Sequence, residues 1–390
     1  MEIRLLEEKD KLQAATVAVV AFHMRVEDPE FVKNDWGPGE YRHWGAFDDD
    51  GTLMAHMLDN QYESWLDGKL VRNGGIGAVS TLPEYRTDGA VREIFRKLIP
   101  AAYAEGEAIS TLYPFSHAFY RKFGYETVCW KNVYTFSPAV LRGYTFGGKV
   151  KQWKTGDPVS DWTKLYNDFA ASFNLAISRD DRRMESHLKG VFYKDRKFAY
   201  MLWEAGKPVA YLIFQDIRHD PQAILEVQDL AWNGPAGFRA ILGFLSRFSA
   251  DYGTIRLFLP RDLELLSLIR SPLAYDIEKT TDQAYMIRVI NAVKVLETIR
   301  KPVDAAFVLR VEGDPLIPSN NGTWSVQGSQ VAETEKSPDL TVSIQAFGQL
   351  AAGCVSLSEA LYRPDVTLSG NEETLRSVFV RKPVLVEDHF

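Results

Sequence analysis

Three stretches carry side chains whose types and spacing suit chemistry. In the first, Val79-Ser80-Thr81-Leu82-Pro83-Glu84-Tyr85-Arg86-Thr87-Asp88-Gly89-Ala90-Val91-Arg92, a strand-like run enters a loop and then a helical pattern. Gly89 lets the backbone approach a ligand, and a helix starting there aims free N–H groups into the turn, which suits an anion such as a pyrophosphate. An R-x-x-G alone also describes an ordinary helix start. In the second stretch, Ser116 to Glu126 (SHAFYRKFGYE), Tyr120 follows Phe119 on a short helix. Its phenol, with an unperturbed pKa of about 10, can donate a proton or a hydrogen bond; the plainer reading is a packed tyrosine with a satisfied hydroxyl. The third, Arg25 to Tyr41, gathers Glu27, Asp28, Glu30, Asp35, Trp36 and Glu40. Acids beside an exposed indole would draw a cationic ligand, with Trp36 stacking on a cation or sugar ring, although a solvated acidic loop looks the same.

Composition narrows the field. The 390 residues exceed one ordinary core and predict two to three domains. Lys plus Arg number 45 against 52 Asp plus Glu, a net charge of −7 that argues against nucleic acid or an anionic membrane as the main partner. Cys129 and Cys354 lack a C-x-x-C spacing, and the seven histidines form no H-E-x-x-H pair, so neither a disulfide framework nor a metal site is expected. The start, MEIRLLEEKDKL, lacks the apolar run of a signal peptide, which predicts a cytoplasmic protein.

The elements that must position these residues follow from periodicity. Strands are predicted at Glu2–Leu6, Tyr41–Phe47, Leu53–Leu66, Lys69–Leu82, Glu107–Tyr113 and Tyr125–Phe136, with helices at Lys9–Met24, Arg86–Glu105 and Ser116–Phe123. A second segment restarts the pattern with a strand at Lys149–Trp153, a helix at Pro158–Phe173 and a hairpin of Phe198–Trp203 with Val209–Asp216. Its Ile224–Phe248 stretch parallels Gly74–Leu98, which implies an internal duplication. The last hundred residues read as a small α+β core: helices at Val293–Ile299 and Gln345–Ala352, strands at Ala306–Val311, Gly322–Val326 and Leu340–Ser343, and a polar loop over Ser329–Asp339. The predicted class is mixed α+β, in domains 1–145, 146–290 and 291–390.

With the F-Y-x-x-F-G-Y of SHAFYRKFGYE following an R-x-x-G turn between strands, the chain resembles the GNAT superfamily of N-acetyltransferases. Its layout, two tandem GNAT units with the second degenerate and a sterol-carrier-like third domain, looks like the Eis (enhanced intracellular survival) type. That resemblance implies acetyl-CoA between two splayed strands, its amides on the backbone of Val79, Ser80 and Thr81, its pyrophosphate on Thr87, Asp88, Gly89, Ala90, Val91 and Arg92, and Phe115 and Ser116 on its far side. It also implies Tyr120 as general acid and the α-carboxylate of Phe390 as general base, with His389 a substrate contact or a bystander and a homo-hexamer as the assembly. Asp88 departs from the Arg-rich turn of Eis relatives, and a carboxylate there repels a phosphate unless it points away. Val91 also replaces the small last residue of the superfamily motif. In the second unit Asn233-Gly234-Pro235-Ala236-Gly237 replaces the pyrophosphate turn, and Pro235 removes a donor. A different class of function, a lipid or small-molecule binding protein with inactive GNAT units, fits the same layout.

Overall fold

The computed structural model describes residues 1–24, 41–190, 195–219, 222–269, 276–282 and 284–388. They divide into two compact units: those within residues 1–128 and 284–382 together with 388, and those within residues 129–283 and 383–387.

In the first unit, β1 (Glu2–Leu5), β2 (Tyr41–Phe47), β3 (Leu53–Leu66) and β4 (Lys69–Thr81) form the antiparallel meander expected from their alternation. Strand β5 (Ile109–Leu112) then joins β4 in parallel after a helical crossover. On the sheet packs α1 (Lys11–Phe22), which buries Ala14 and Val17. The crossover helix, α2 (Ala90–Ala104), buries Ile94, Phe95, Leu98, Ile99 and Ala102. Each large side chain in that stripe contributes about 1.5–3 kcal/mol, so sheet packing holds this helix in place despite Pro100. A short helix, α3 (His117–Arg121), follows, with the Ser116 side chain accepting the Phe119 N–H as its cap.

Sequence and structure part company at the next strand. The single run predicted over Tyr125–Phe136 is two strands, β6 (Glu126–Cys129) and β7 (Lys131–Phe136), in different sheets. β7 belongs to the second unit with β8 (Lys149–Gln152), β9 (Lys197–Glu204), β10 (Lys207–His219), β11 (Gln222–Trp232), β12 (Thr254–Pro260) and β13 (Ile277–Thr281). In return β14 (Tyr285–Val289) enters the first sheet, whose order is β1-β2-β3-β4-β5-β14-β6. Alternation is equally satisfied in either sheet, so periodicity carries no sign of this exchange.

The exchanged strand is held by charge as well as by its ladder to β5. Arg288, fully buried, pairs with the buried Asp314 at 2.6 Å, and its guanidinium also donates to the Phe123 carbonyl. Gly124 has φ +86, and a Cβ there would lie 1.8 Å from Arg288 Nη1. Both constraints require the glycine of the F-G-Y motif.

The second unit adds α4 (Ser160–Ala170), α5 (Asp181–Leu188) and α6 (Gly234–Leu245), with α6 burying eight of its twelve residues. A third sheet, within the first unit, orders as β17 (Gln330–Glu333), β16 (Gly322–Gln327), β15 (Ala306–Glu312), β18 (Leu340–Ser343) and β19 (Val366–Leu368). Its helices are α7 (Ala292–Thr298), α8 (Ile344–Ala352), α9 (Leu357–Ala360) and α10 (Glu372–Val378). The polar stretch over Ser329–Asp339 is therefore not all loop: β17 pairs with β16 inside it.

Candidate active site

Strands β4 and β5 pair only from Asn73↔Ile109 to Ile76↔Leu112, yet β4 continues to Thr81 against β3. Beyond Ile76 the edge of β4 that faced β5 has no strand partner among the described residues, and the sheet opens there. A bulge marks the opening: Met57 of β3 is opposed by both Ala78 and Val79, with Ala78 at φ +48. That is a strained angle for a residue with a Cβ, and it turns the backbone around Val79 out of the regular ladder. Ser80 is buried and its hydroxyl donates to the His56 carbonyl.

The chain leaves β4 through a 3-10 turn, Pro83–Tyr85, and the Tyr85 hydroxyl ties it to Asp48 at 2.7 Å. Helix α2 starts at Ala90, later than the predicted Arg86, because Gly89 takes the left-handed angle of φ +78. No side chain caps this end, and the first intrahelical acceptor, Gly89 O, receives Glu93 N–H. The N–H groups of Ala90, Val91 and Arg92 are left pointing out of the helix start, where an anion is stabilised. The Arg92 guanidinium lies against Gly89, 2.5 Å from where a Cβ would stand, and so adds a cation to the turn. Thr87 and Asp88 are exposed; the Asp88 carboxylate accepts from the Thr87 hydroxyl at 3.4 Å.

Tyr120 sits at the other end of the opening. It is 1 % exposed and shares one hydrophobic cluster with Ile76, Ala90 and Phe95, against which Val79 and Val91 pack. Rings surround it: Phe95, Phe115, Phe119 and Tyr125, at centroid distances of 5.2–6.2 Å. Phe115 is 68 % exposed, so the cage has one wall open to solvent. Tyr125 spends its hydroxyl on Ser110, which donates to the Gly74 carbonyl. The Tyr120 hydroxyl makes no hydrogen bond among the described residues, and burial pushes its acidity down, keeping it protonated at any working pH.

Two buried polar groups escaped the sequence reading because their members are far apart in the chain. His43 and His56 stack with ring centroids 5.2 Å apart, Nδ1 to Nε2 3.0 Å, and burial lowers them to about 4 and about 3. Asp59 and Glu107, both buried, share Arg42, and desolvation raises Asp59 to about 7.

The structure thus gathers Val79, Ala90, Val91, Phe115 and Tyr120 around one cluster and places Ser80, Thr81, Thr87, Asp88, Gly89, Arg92 and Ser116 on the segments that flank it. Trp36, His389 and Phe390 lie outside the described residues. A strand edge and a helix start without partners among the described residues, beside the buried Tyr120, suit an extended ligand with amides along its length and an anion at one end.

The chain is similar to known proteins in its domains and fold. Residues 2–128 match the model of an acetyltransferase (GNAT) domain, residues 175–289 a second acetyltransferase (GNAT) domain, and residues 289–386 a sterol carrier protein domain. No curated protein matches the chain. Solved structures do. A conserved protein of unknown function from Enterococcus faecalis, described as a probable N-acyltransferase, aligns with a TM-score of 0.89 at 19% identity, covering 100% of this chain and 99% of its own. A GCN5-related N-acetyltransferase from Anabaena variabilis gives 0.87 at 19%, with both chains covered 100%. Eis1 from Mycobacterium abscessus gives 0.81 at 19%, again with both covered 100%. The predicted class, tandem GNAT units followed by a sterol-carrier domain, is borne out. Two acetyltransferase domains and a sterol carrier domain in that order make the chain a member of the GNAT acetyltransferases, with the architecture that Eis1 shares.

Proposed function

We propose that the chain uses acetyl-CoA to acetylate primary amines of a cationic acceptor, an aminoglycoside, a polyamine or a lysine, by direct transfer at the site in residues 1–145. The observation that carries this reading is Tyr120, a buried residue in the cluster against which Val79 and Val91 pack, whose hydroxyl makes no hydrogen bond among the described residues. Bound acetyl-CoA supplies the acetyl group as an activated thioester. Val79, Ser80 and Thr81 offer their unpaired backbone edge to amides, and an N–H beside the bulge donates to oxygen as negative charge develops on it. Thr87 to Arg92 bind the pyrophosphate, where the exposed Asp88 carboxylate has room to turn to water. Phe115 and Ser116 border the cofactor's far side.

Tyr120 holds the proton that the leaving sulfur takes. Burial raises the phenol, and the same dry surroundings raise a thiol, so the transfer costs less than the phenol's shift alone implies. The α-carboxylate of Phe390 accepts the proton that the amine gives up. With an ordinary value of about 3.5 it acts by orientation and desolvation more than by basicity. Trp36 stacks on the acceptor, with His389 alongside. The chemistry uses no metal. We assign the protein to the cytoplasm as a homo-oligomer, hexameric by its likeness to Eis.

Purified protein mixed with acetyl-CoA and an amine panel (an aminoglycoside, a polyamine, a lysine peptide) is expected to release free thiol. Tyr120→Phe, or one residue added after Phe390, is expected to suppress that release. Unchanged rates in both variants would remove the mechanism. Absence of both turnover and acetyl-CoA binding would favour a lipid or small-molecule binding protein, the reading to which the sterol carrier match also points.

A further inference from the structure

The two-residue turn between β3 and β4, Asp67-Gly68, lies at the far end of β4 from the cofactor turn. Facing it are the end of α7 with the chain that follows, residues 299–303, and the turn between β16 and β17. All of these belong to the first unit, and a cavity of about 490 Å³ opens among them. Its charge is one-sided. Lys69, Arg300 and Lys301 line it, and Lys382 stands beside it on Asp67, which accepts from Lys382 Nζ and from the Arg300 backbone N–H, each at 2.6 Å. The other acid of the lining is Glu297, exposed on α7. Four cations therefore meet two carboxylates, one of them already engaged.

The cations differ in their commitments. The half-buried Lys301 donates to the carbonyls of Leu296 and, at 3.1 Å, Ile299, closing the last turn of α7. Lys382 holds the hairpin through Asp67. The ammonium of Lys69 and the guanidinium of Arg300, both exposed, have no hydrogen bond or ion pair among the described residues. Desolvation, with Lys69 and Lys382 close by, lowers Lys301 to about 8, so like charges add to burial in opposing its charged form. Crowding of this kind costs free energy that a bound anion offsets.

We propose that this cavity is a ligand site separate from the acetyl-transfer site, and that it takes a small phosphate monoester. Lys69 and Arg300 supply the uncommitted donors and Lys301 a third positive charge. A near-dianion with three terminal oxygens matches them, where a single carboxylate leaves a cation unpaired. Ser329 and Gln330, exposed at the β16–β17 turn, offer neutral donors to the rest of the molecule. Strand β4 runs 13 residues from Lys69 to Thr81, so at roughly 3.3 Å per residue the cavity and the cofactor edge stand about 40 Å apart along the strand. The proposal is therefore independent of the roles given to Tyr120 and acetyl-CoA. The ligand joins a hairpin inside the acetyltransferase match, residues 2–128, to the sterol carrier match, residues 289–386.

Equilibrium dialysis of the full chain against labelled glycerol phosphate tests this. The parent should bind it at one site with a Kd of about 1 mM or tighter. Lys69→Gln combined with Arg300→Gln should weaken binding about tenfold or more and leave the unfolding temperature of the unliganded protein unchanged, because neither side chain has a partner to lose. Lys301→Met should weaken it as well; since that side chain also closes a helix, the double variant decides the matter if Lys301→Met folds poorly. The cofactor turn suits an anion too, so Arg92→Gln is the control and should keep the parental affinity. Lost binding in Arg92→Gln beside parental affinity in the double variant puts the phosphate on the cofactor turn and overturns the proposal. So does equal affinity in parent and double variant, or no binding by the parent up to about 10 mM ligand. Inorganic phosphate should displace the label, whereas acetate displacing it equally well would show that charge alone is read and overturn the phosphate assignment.

Discussion

The two acetyltransferase sheets open in the same way and differ in what fills the opening. In the first unit β4 leaves β5 after Ile76; in the second, β11 leaves β12 after Val227 while continuing along β10 to Trp232. Each opening has a bulge, Ala78–Val79 in one and Gln228 in the other. Beyond that the likeness ends. In the second unit Asp229 follows the bulge directly, and it is consumed by Arg179 at 2.6 Å and the Tyr211 hydroxyl at 2.9 Å. Trp232 packs between Phe169 and Phe238, its ring tilted against both at centroid distances of 4.4 and 5.0 Å. The helix start that would receive a phosphate holds Pro235 in its first turn, and Gly237 is pressed onto β10, leaving a Cβ only 2.3 Å from the Val209 carbonyl. Glycine serves close packing there, whereas Gly89 serves a left-handed turn. The second unit keeps the backbone architecture while the polar groups at its opening have found partners inside the protein.

That contrast can be broken most directly at the tyrosines. Tyr120→Phe is expected to lower kcat by roughly 10²–10⁴, the usual loss of a general acid, with little change in acetyl-CoA affinity. Tyr211→Phe should leave kcat per folded molecule at the parental value and cost about 1–3 kcal/mol of stability in denaturant titration, since it strips a partner from buried Asp229. A loss of activity in the second variant equal to that in the first would end the distinction between the units.

Gly89→Val comes next. A β-branched side chain at φ +78 is strained and displaces Arg92, so the KM for acetyl-CoA should rise about tenfold or more. Gly234→Ala, at φ +60 with nothing around its Cβ, should leave that KM alone. Asp229→Ala should then destabilise the second unit by about 3–5 kcal/mol, because Arg179 would remain buried and charged without its carboxylate; calorimetry resolves this as a shift of one unfolding transition.

The smallest effect is one of pH. The folded His43 and His56 take up protons only near pH 4 and 3, whereas unfolded histidine does so near 6.5. Between about pH 6.5 and 4 the unfolded state binds more protons, so stability falls as pH falls through that window. His56→Asn should flatten the slope of unfolding free energy against pH relative to the parent. An identical slope would mean that the pair is charged in the fold.

The conformation of the proposed cofactor turn was legible because it is local. Strand, turn, Gly89 and helix occupy one continuous stretch, and the glycine's need for a positive φ fixes its own position. Tyr120 was legible for the same reason: the S-x-x-F-Y spacing sets cap, helix and ring together, with Ser116 as the cap. Arg42 with Asp59 and Glu107, and Arg288 with Asp314, were not legible, since each joins residues that only the fold makes neighbours. Single side chains of that kind carry no periodicity.

By itself, then, the sequence determined the local conformations, the meander and crossover of the first sheet, and the duplication. Hydrophobic period and turn residues act over a few positions and are written there. Tertiary structure alone decided where the two strands after the motif belong. Trp130 separates β6 from β7, β7 crosses to the second sheet, and β14 takes its place in the first, bringing Arg288 to Gly124 and Tyr285 to Asp388. The physical reason is that a strand's alternation states which face it buries and not which neighbour it pairs with. Partner choice is settled by long-range contacts such as the buried Arg288–Asp314 pair, which exist only once the chain has folded.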